Sequence, residues 1–306
     1  MEIGGYLELE EFTGSEYYSG LKALNTGRNA LAVLIRCKGI KRLYIPEYLC
    51  DSVYKVCVRE NCEYEFYKVT RDFQPEFNKS LAHDEWVYVV NYYGQVTNEK
   101  ELKKKYARMI YDNVQAFFQK PIKGIDTIYS CRKFFGVPDG AYLASDVNIH
   151  LPADVSKDRM VHILGRFEAC ASDYYNDFTA NDVSFYDLEP KAMSKLTHNI
   201  LRAVNYEEVK KRRESNFAFY HERLKDKNPI SLKCPVGPYM YPFYSENGKE
   251  LKKKLQQKKI YIPTLWPDAV QFGGLAREYS ENILPLPCDQ RYTAEDLKHI
   301  VMEITG

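Results

Sequence analysis

The chain has no dominant charge: 43 lysines and arginines stand against 42 aspartates and glutamates, a net of +1. Without a basic field, nucleic acid and anionic membrane surfaces are poor partners, and a small molecule or a second copy of the chain is expected instead. No apolar run reaches the roughly eighteen residues a membrane helix needs. The opening MEIGGYLELEEF is acidic where a secretory leader is basic and then apolar, so the expectation is a cytoplasmic protein. No C-x-x-C pair occurs among the eight scattered cysteines (37, 50, 57, 62, 131, 170, 234 and 288), and no histidine stands at zinc-ligand spacing from them. They read as free thiols in a reducing compartment, and no metal site is expected. Repeats and low-complexity tracts are missing as well.

What is present is a chain of 306 residues, 45% hydrophobic and 28% charged, long enough for one large domain or two unequal ones. Tyrosine is abundant at 26, which suits sugar or aromatic contacts and equally suits half-buried packing. The pattern alternates. A helix in NALAVLIRCKG precedes a strand RLYIP, a helix CDSVYKVCVREN and strands EYEFYKV and EWVYVV; then come a charged helix NEKELKKKYAR and strands MIYD, DTIYSC and GAYLAS. Such alternation predicts an α/β fold with a mostly parallel sheet flanked by helices. Ligands in such sheets sit beyond the carboxyl ends of the strands. From about Asp154 to Asp187 the periodicity weakens, and a long loop or lid is expected. A long helix from Asn205, a helix GKELKKKLQQKK, a strand IYIP and a last helix TAEDLKHIVMEI follow the turn-rich remainder. The expected division is a large domain over 1–200 and a small α+β domain over 201–306.

Three positions at strand ends or helix starts draw attention. In NTGRNAL, Gly27 opens a helix whose free amides, beside Arg28 and Asn29, form an anion cradle or simply an ordinary capped start. In MIYDNVQAF, Asp112 ends a very apolar strand, where a carboxylate needs a partner or caps the next turn. In DTIYSCRKFFGVPDGAYLAS, the adjacent cations Arg132 and Lys133 follow a strand and precede Gly-x-x-Asp-Gly.

In this order the three resemble the DegT/DnrJ/EryC1/StrS family of sugar aminotransferases, pyridoxal phosphate enzymes of the aspartate-aminotransferase fold (fold type I). The family's Ser-Gly-Thr-x-Ala-Leu loop is similar to Thr26-Gly27-Arg28-Asn29-Ala30-Leu31, and its Glu-Asp-x-x-Gln-Ala segment to Tyr111-Asp112-Asn113-Val114-Gln115-Ala116. Its Ser…Lys…Gly-Glu/Asp-Gly-Gly run is similar to Ser130, Lys133 and Asp139-Gly140-Ala141; NYYGQ and the closing LPLPCDQRYTAEDLKHIV also match.

The resemblance implies pyridoxal 5′-phosphate as cofactor, with Lys133 as its covalent anchor and proton shuttle, a task that desolvation and a cationic neighbour such as Arg132 favour. It implies that Asp112 faces the pyridine nitrogen, that Gln115 meets the ring's 3′ oxygen, and that Ser130 with the amides of Gly27, Arg28 and Asn29 takes the phosphate. For the residue stacked on the ring, IPEYLCDS offers Tyr48 and, at the aligned place, Cys50. Arg132 and Trp266, the latter in IYIPTLWP, are the candidate substrate contacts. The implied reaction moves an amino group, from a donor such as glutamate, to a nucleotide-linked keto sugar in polysaccharide or amino-sugar synthesis, within a homodimer.

The chain also departs from the family. It is shorter, two residues are missing between Ser130 and Lys133, and no asparagine stands near LEPKAMSKLT to serve a neighbouring subunit's phosphate, leaving Lys191 as the substitute at hand. The competing reading is a cofactor-fold protein with a regulatory or other pyridoxal phosphate role.

Overall fold

The computed structural model describes residues 3–306. Its first half builds one eight-stranded sheet from β1 (Lys22–Leu24), β2 (Arg42–Pro46), β3 (Glu63–Val69), β4 (Pro75–Glu76), β5 (Glu85–Val90), β6 (Met109–Asp112), β7 (Asp126–Ser130) and β8 (Ala141–Ala144). The spatial order is β1-β8-β7-β6-β5-β2-β3-β4. The five central strands pair in parallel, and β1, β8 and β4 join antiparallel at the two margins. The parallel α/β expectation therefore holds for the centre of the sheet. Central strands covered on both faces read as unbroken apolar runs, as in the buried WVYVV of β5.

Helices α1 (Gly27–Lys38), α2 (Asp51–Arg59) and α3 (Glu99–Lys105) connect these strands. α1 starts where Thr26 Oγ1 accepts the Asn29 amide at 3.1 Å, and it stops at Gly39, whose φ of 63° lets its amide reach the Ile35 carbonyl. The strands keep one direction but their order switches between β2 and β5: β3 lies on one side of that boundary, and β5, β6 and β7 extend on the other. The segments leaving these strands part there, at the carboxyl edge where such sheets place their ligands.

The segment 154–187 differs from the expected loop. It holds α4 (Val161–Glu168) and α5 (Tyr175–Ser184). They bury little, α4 only Gly165 and α5 only Asn181, and the apolar stripe of α4, Val161, Leu164 and Phe167, stands exposed. The rest of the chain forms α6 (Lys195–Arg202), α7 (Tyr206–Leu224), β9 (Met240–Tyr244), α8 (Gly248–Gln257), α9 (Gly274–Asn282), β10 (Ile283–Pro287) and α10 (Ala294–Thr305).

The strand expected at IYIP does not form. Its Ile260 amide returns to the Leu255 carbonyl and closes the end of α8, while Ile260 and Ile262 only lean on the core. β9 pairs instead with β10, antiparallel, in a ribbon that tolerates Pro285 and Pro287 because neither strand has a second neighbour. One hydrophobic cluster runs from Leu24 to Ile300 and joins the sheet to these later elements.

Candidate active site

The candidate cleft lies where the carboxyl ends of β2, β5, β6 and β7 meet the starts of α1 and α2. Asp112, the last residue of β6, is buried at 4% exposure. Its Oδ2 accepts the Tyr88 hydroxyl at 2.7 Å and its Oδ1 accepts the Val114 amide at 2.8 Å. Tyr88 stands on β5, the parallel neighbour of β6, so the sheet register delivers its hydroxyl. Lys133 lies in the turn after β7, half-buried, with its ammonium 5.6 Å from the centre of the Tyr239 ring. No hydrogen bond or ion pair holds its Nζ among the described residues.

Burial sets the charge balance of this pair. It lowers the Lys133 pKa, and Arg28 lowers it further against the pull of Asp112, Cys50 and Asp182. Burial likewise raises the Asp112 pKa, opposed by Lys133, the Val114 amide and the Tyr88 hydroxyl. Burial thus moves Lys133 toward its neutral amine, the direction that suits a nucleophile and proton carrier, while Lys133, the Val114 amide and the Tyr88 hydroxyl favour the ionised form of Asp112.

Gln115 is 1% exposed. Its Oε1 accepts the Tyr93 amide at 2.8 Å, while its Nε2 is buried without a partner. Tyr93 has a φ of 52°, an unusual left-handed setting for a non-glycine residue at a strand exit. That backbone is fixed by Asn91, whose Oδ1 accepts the Val96 amide at 2.9 Å and whose Nδ2 donates to Asn113 and Gln119. The NYYGQ segment therefore aims the Gln115 amide and leaves its two N–H groups unspent.

The anion side of the cleft is built around α1. The Asn29 amide is capped by Thr26, and the Asn29 side chain bonds Asn25, the Glu189 carbonyl and Arg59; its role is to hold the helix start. The first-turn amides of Gly27 and Arg28 have no carbonyl partner inside the helix. Arg28 turns sideways, pairing with Asp182 at 3.0 Å and lying over the Tyr186 ring, and its Nε is buried without a partner. Arg132 reaches the same Asp182 at 3.1 Å and stacks on Phe185. Its aim is thus across the cleft to α5, away from bulk solvent. Ser130 is half-buried at the end of β7, opposite Ala141. Lys191 is engaged with Asp154 at 3.4 Å.

The two ring-face residues separate. Tyr48 is 1% exposed and belongs to a tyrosine cluster, with its hydroxyl 3.4 Å from that of Tyr93 and its ring edge-on to Trp266 at 4.5 Å. Cys50 caps the front of α2, half-buried, its thiol accepting from Ser52; burial raises its pKa, and the Lys133 charge acts on it directly. Trp266, at a φ of 54°, packs against Tyr48 and Tyr92 behind the cleft, and its carbonyl accepts from Ser280.

Asp139 and Gly140 serve the frame. Asp139 accepts from the Ser194 amide at 3.0 Å, from Ser194 Oγ at 2.8 Å and from Thr197 Oγ1, tying the loop after Lys133 to the start of α6. Gly140 has a φ of 115°, and an added Cβ would lie 3.0 Å from Thr197 and 3.2 Å from Cys131. Tyr88, Tyr239 and Asp182 are the cleft residues that sequence reading passed over. Tyr88 alone carried a signal, as a hydroxyl inside an apolar run.

No family model matches the chain, and no curated protein matches its sequence. Solved structures do. A DegT/DnrJ/EryC1/StrS aminotransferase from Brucella abortus superposes with a TM-score of 0.63 at 15% identity, covering 93% of this chain and 84% of its own. A Streptococcus pneumoniae protein described as a sugar aminotransferase, Spr1654 in its PLP form, gives 0.66 at 13%, covering 95% and 91%. DesV from S. venezuelae, solved with a ketimine intermediate, gives 0.64 at 15%, covering 92% and 83%. At such identities the likeness is one of fold: the chain has the architecture of the PLP-dependent sugar aminotransferases.

Proposed function

We propose that this protein is a pyridoxal-phosphate-dependent aminotransferase that moves an amino group from a donor such as glutamate to a nucleotide-linked keto sugar, working as a cytoplasmic homodimer. In this reading residues 1–200 form the cofactor-binding domain and 201–306 a small C-terminal one. The observation that carries it is the buried pair of Lys133 and Asp112 in one cleft with an unspent Gln115 Nε2. An orphaned buried amide donor is costly unless an acceptor arrives, and the 3′ oxygen of the cofactor ring is one. The residues present therefore fit the group.

When bound, pyridoxal phosphate supplies an electron sink for the carbon that loses its proton. Lys133, desolvated and poised toward its neutral amine, anchors the cofactor and carries the proton at its Nζ. Asp112, held by Tyr88 and Val114, keeps a proton on the ring nitrogen. Gln115 orients the ring through its amide, and the amides of Gly27 and Arg28 with Ser130 take the phosphate. Cys50 stands on the cleft side of the β2 exit, and Tyr48 packs behind it with Trp266.

The test is spectroscopic. Added pyridoxal phosphate should give the protein a visible absorption band that Lys133→Ala abolishes, and glutamate should then bleach that band as the amino group transfers. A protein that stays colourless with saturating cofactor would sink the reading; one that colours but ignores every amino donor would belong to the regulatory alternative.

A further inference from the structure

We infer, resting on the anion cradle of the proposed function, that Asp182 is a built-in competitor for the phosphate: it holds Arg28 and Arg132 until an incoming dianion displaces its carboxylate. Asp182 Oδ1 accepts from Arg132 at 3.1 Å and from Arg28 at 3.4 Å, and its Oδ2 accepts from Arg28 at 3.0 Å. Both arginines flank the cradle, one in the first turn of α1 and one beside Lys133. Two guanidiniums against a single carboxylate leave one positive charge uncompensated, whereas a phosphate dianion balances both. The buried Nε of Arg28 also remains as a spare donor. Asp182 and Arg28 are both close enough to act on the Lys133 charge, which puts the ion cluster at the cleft itself.

The carboxylate is also the piece most easily moved. Its side chain is 37% exposed, against 13% and 16% for the two arginines. The helix that carries it buries only Asn181, whose Nδ2 donates to the Pro138 carbonyl at 3.1 Å. Tyr175, Phe178 and Val183 of the same helix are exposed. The helix end itself is anchored by its C-cap Phe185, which is fully buried, so a ligand that outcompetes the carboxylate swings the Asp182 side chain outward and leaves α5 in place. Asp182 thereby selects for doubly charged anions: a monoanion gains no charge over the carboxylate it would replace.

The experiment uses the full chain and inorganic phosphate, read by thermal shift at constant ionic strength with acetate as the monoanion control. Asp182→Asn should respond to phosphate at concentrations about fivefold lower than wild type, as expected for removing a half-exposed competing charge. Acetate should not stabilise wild type, while in Asp182→Asn it can take the vacated carboxylate's place, more weakly than phosphate. Asn181→Ala, which leaves all three charges and the buried Phe185 in place, should keep the wild-type midpoint. Equal phosphate midpoints for wild type and Asp182→Asn, or a weaker response of the variant, would overturn the competition. A midpoint for Asn181→Ala lowered as far as that of Asp182→Asn would overturn the assignment of the competition to the carboxylate. Neither arm depends on cofactor chemistry, so a protein that ignores pyridoxal phosphate yet obeys this pattern would refute the proposed function and leave Asp182 as the anion gate.

Discussion

At the scale of single residues, Lys133 and Asp112 are a pair whose burial disfavours both charges. For Lys133 the folded pKa lies below the model-compound value of 10.5. Between the two values the unfolded chain binds more protons, so stability rises with pH across that window, and below the folded value the cost of the buried ammonium is fully present. Apo wild type should therefore gain on Lys133→Met as pH climbs toward 10.5, measured as the difference between their melting temperatures from pH 7 to pH 10; a flat difference would remove the burial argument. Asp112→Asn keeps the shape and the Tyr88 contact but cannot hold a proton on the ring nitrogen by charge. Its turnover with glutamate should fall roughly 10²- to 10³-fold with the visible band retained, checked by single-turnover absorbance.

Asp112 and Lys133 stood out in the sequence as polar groups at the ends of apolar strands, and their roles, with Gln115, came from the family resemblance. Asp182 was not, since its partners lie 154 and 50 positions away and no local pattern marks an ion pair of that span.

Among elements, the strands of the sheet were the easiest to read, since parallel strands buried on both faces leave apolar runs that no turn residue interrupts. α4 and α5 were hidden for the opposite reason: they are short and bury one residue each, and the stripe on the 8 residues of α4 spans too few turns for its period to stand out. β10 was hidden by its two prolines, and IYIP imitated a strand because its isoleucines anchor the exit of α8. The Asp-Gly pair after Lys133 was legible as a motif but not as a clamp, because α6, which it secures, lies more than fifty residues on. Asp139→Ala would leave the Ser194 amide and two hydroxyls without their acceptor and free the start of α6. A loss of about 2–4 kcal/mol is expected, read as a lower urea midpoint. Because the clamp begins six residues after Lys133, the same variant should also bind pyridoxal phosphate more weakly.

For the whole molecule, the question is what makes the sheet and the C-terminal elements one cooperative unit. The main hydrophobic cluster already spans them. Arg213 adds a polar bolt: in the middle of α7 and 1% exposed, it donates to the carbonyls of Phe134 at 3.2 Å and Pro238 at 2.9 Å, and to Gln290 Oε1 at 2.9 Å. Gln290 Nε2 donates to the same Phe134 carbonyl at 2.9 Å, and the guanidinium covers the Phe134 ring at 4.6 Å. The residue so held is the immediate neighbour of Lys133. Stability of the C-terminal elements and placement of the lysine are therefore coupled through one peptide carbonyl.

Arg213→Met keeps the apolar stem but strands those acceptors, a loss of about 3 kcal/mol. In a chain of this size that lowers the melting temperature by several degrees. Wild type should unfold in a single calorimetric transition. In the variant the early strands should melt apart from α7 to α10, broadening or splitting the peak, and a peak that moves down without broadening would show that the apolar core alone holds the two parts together.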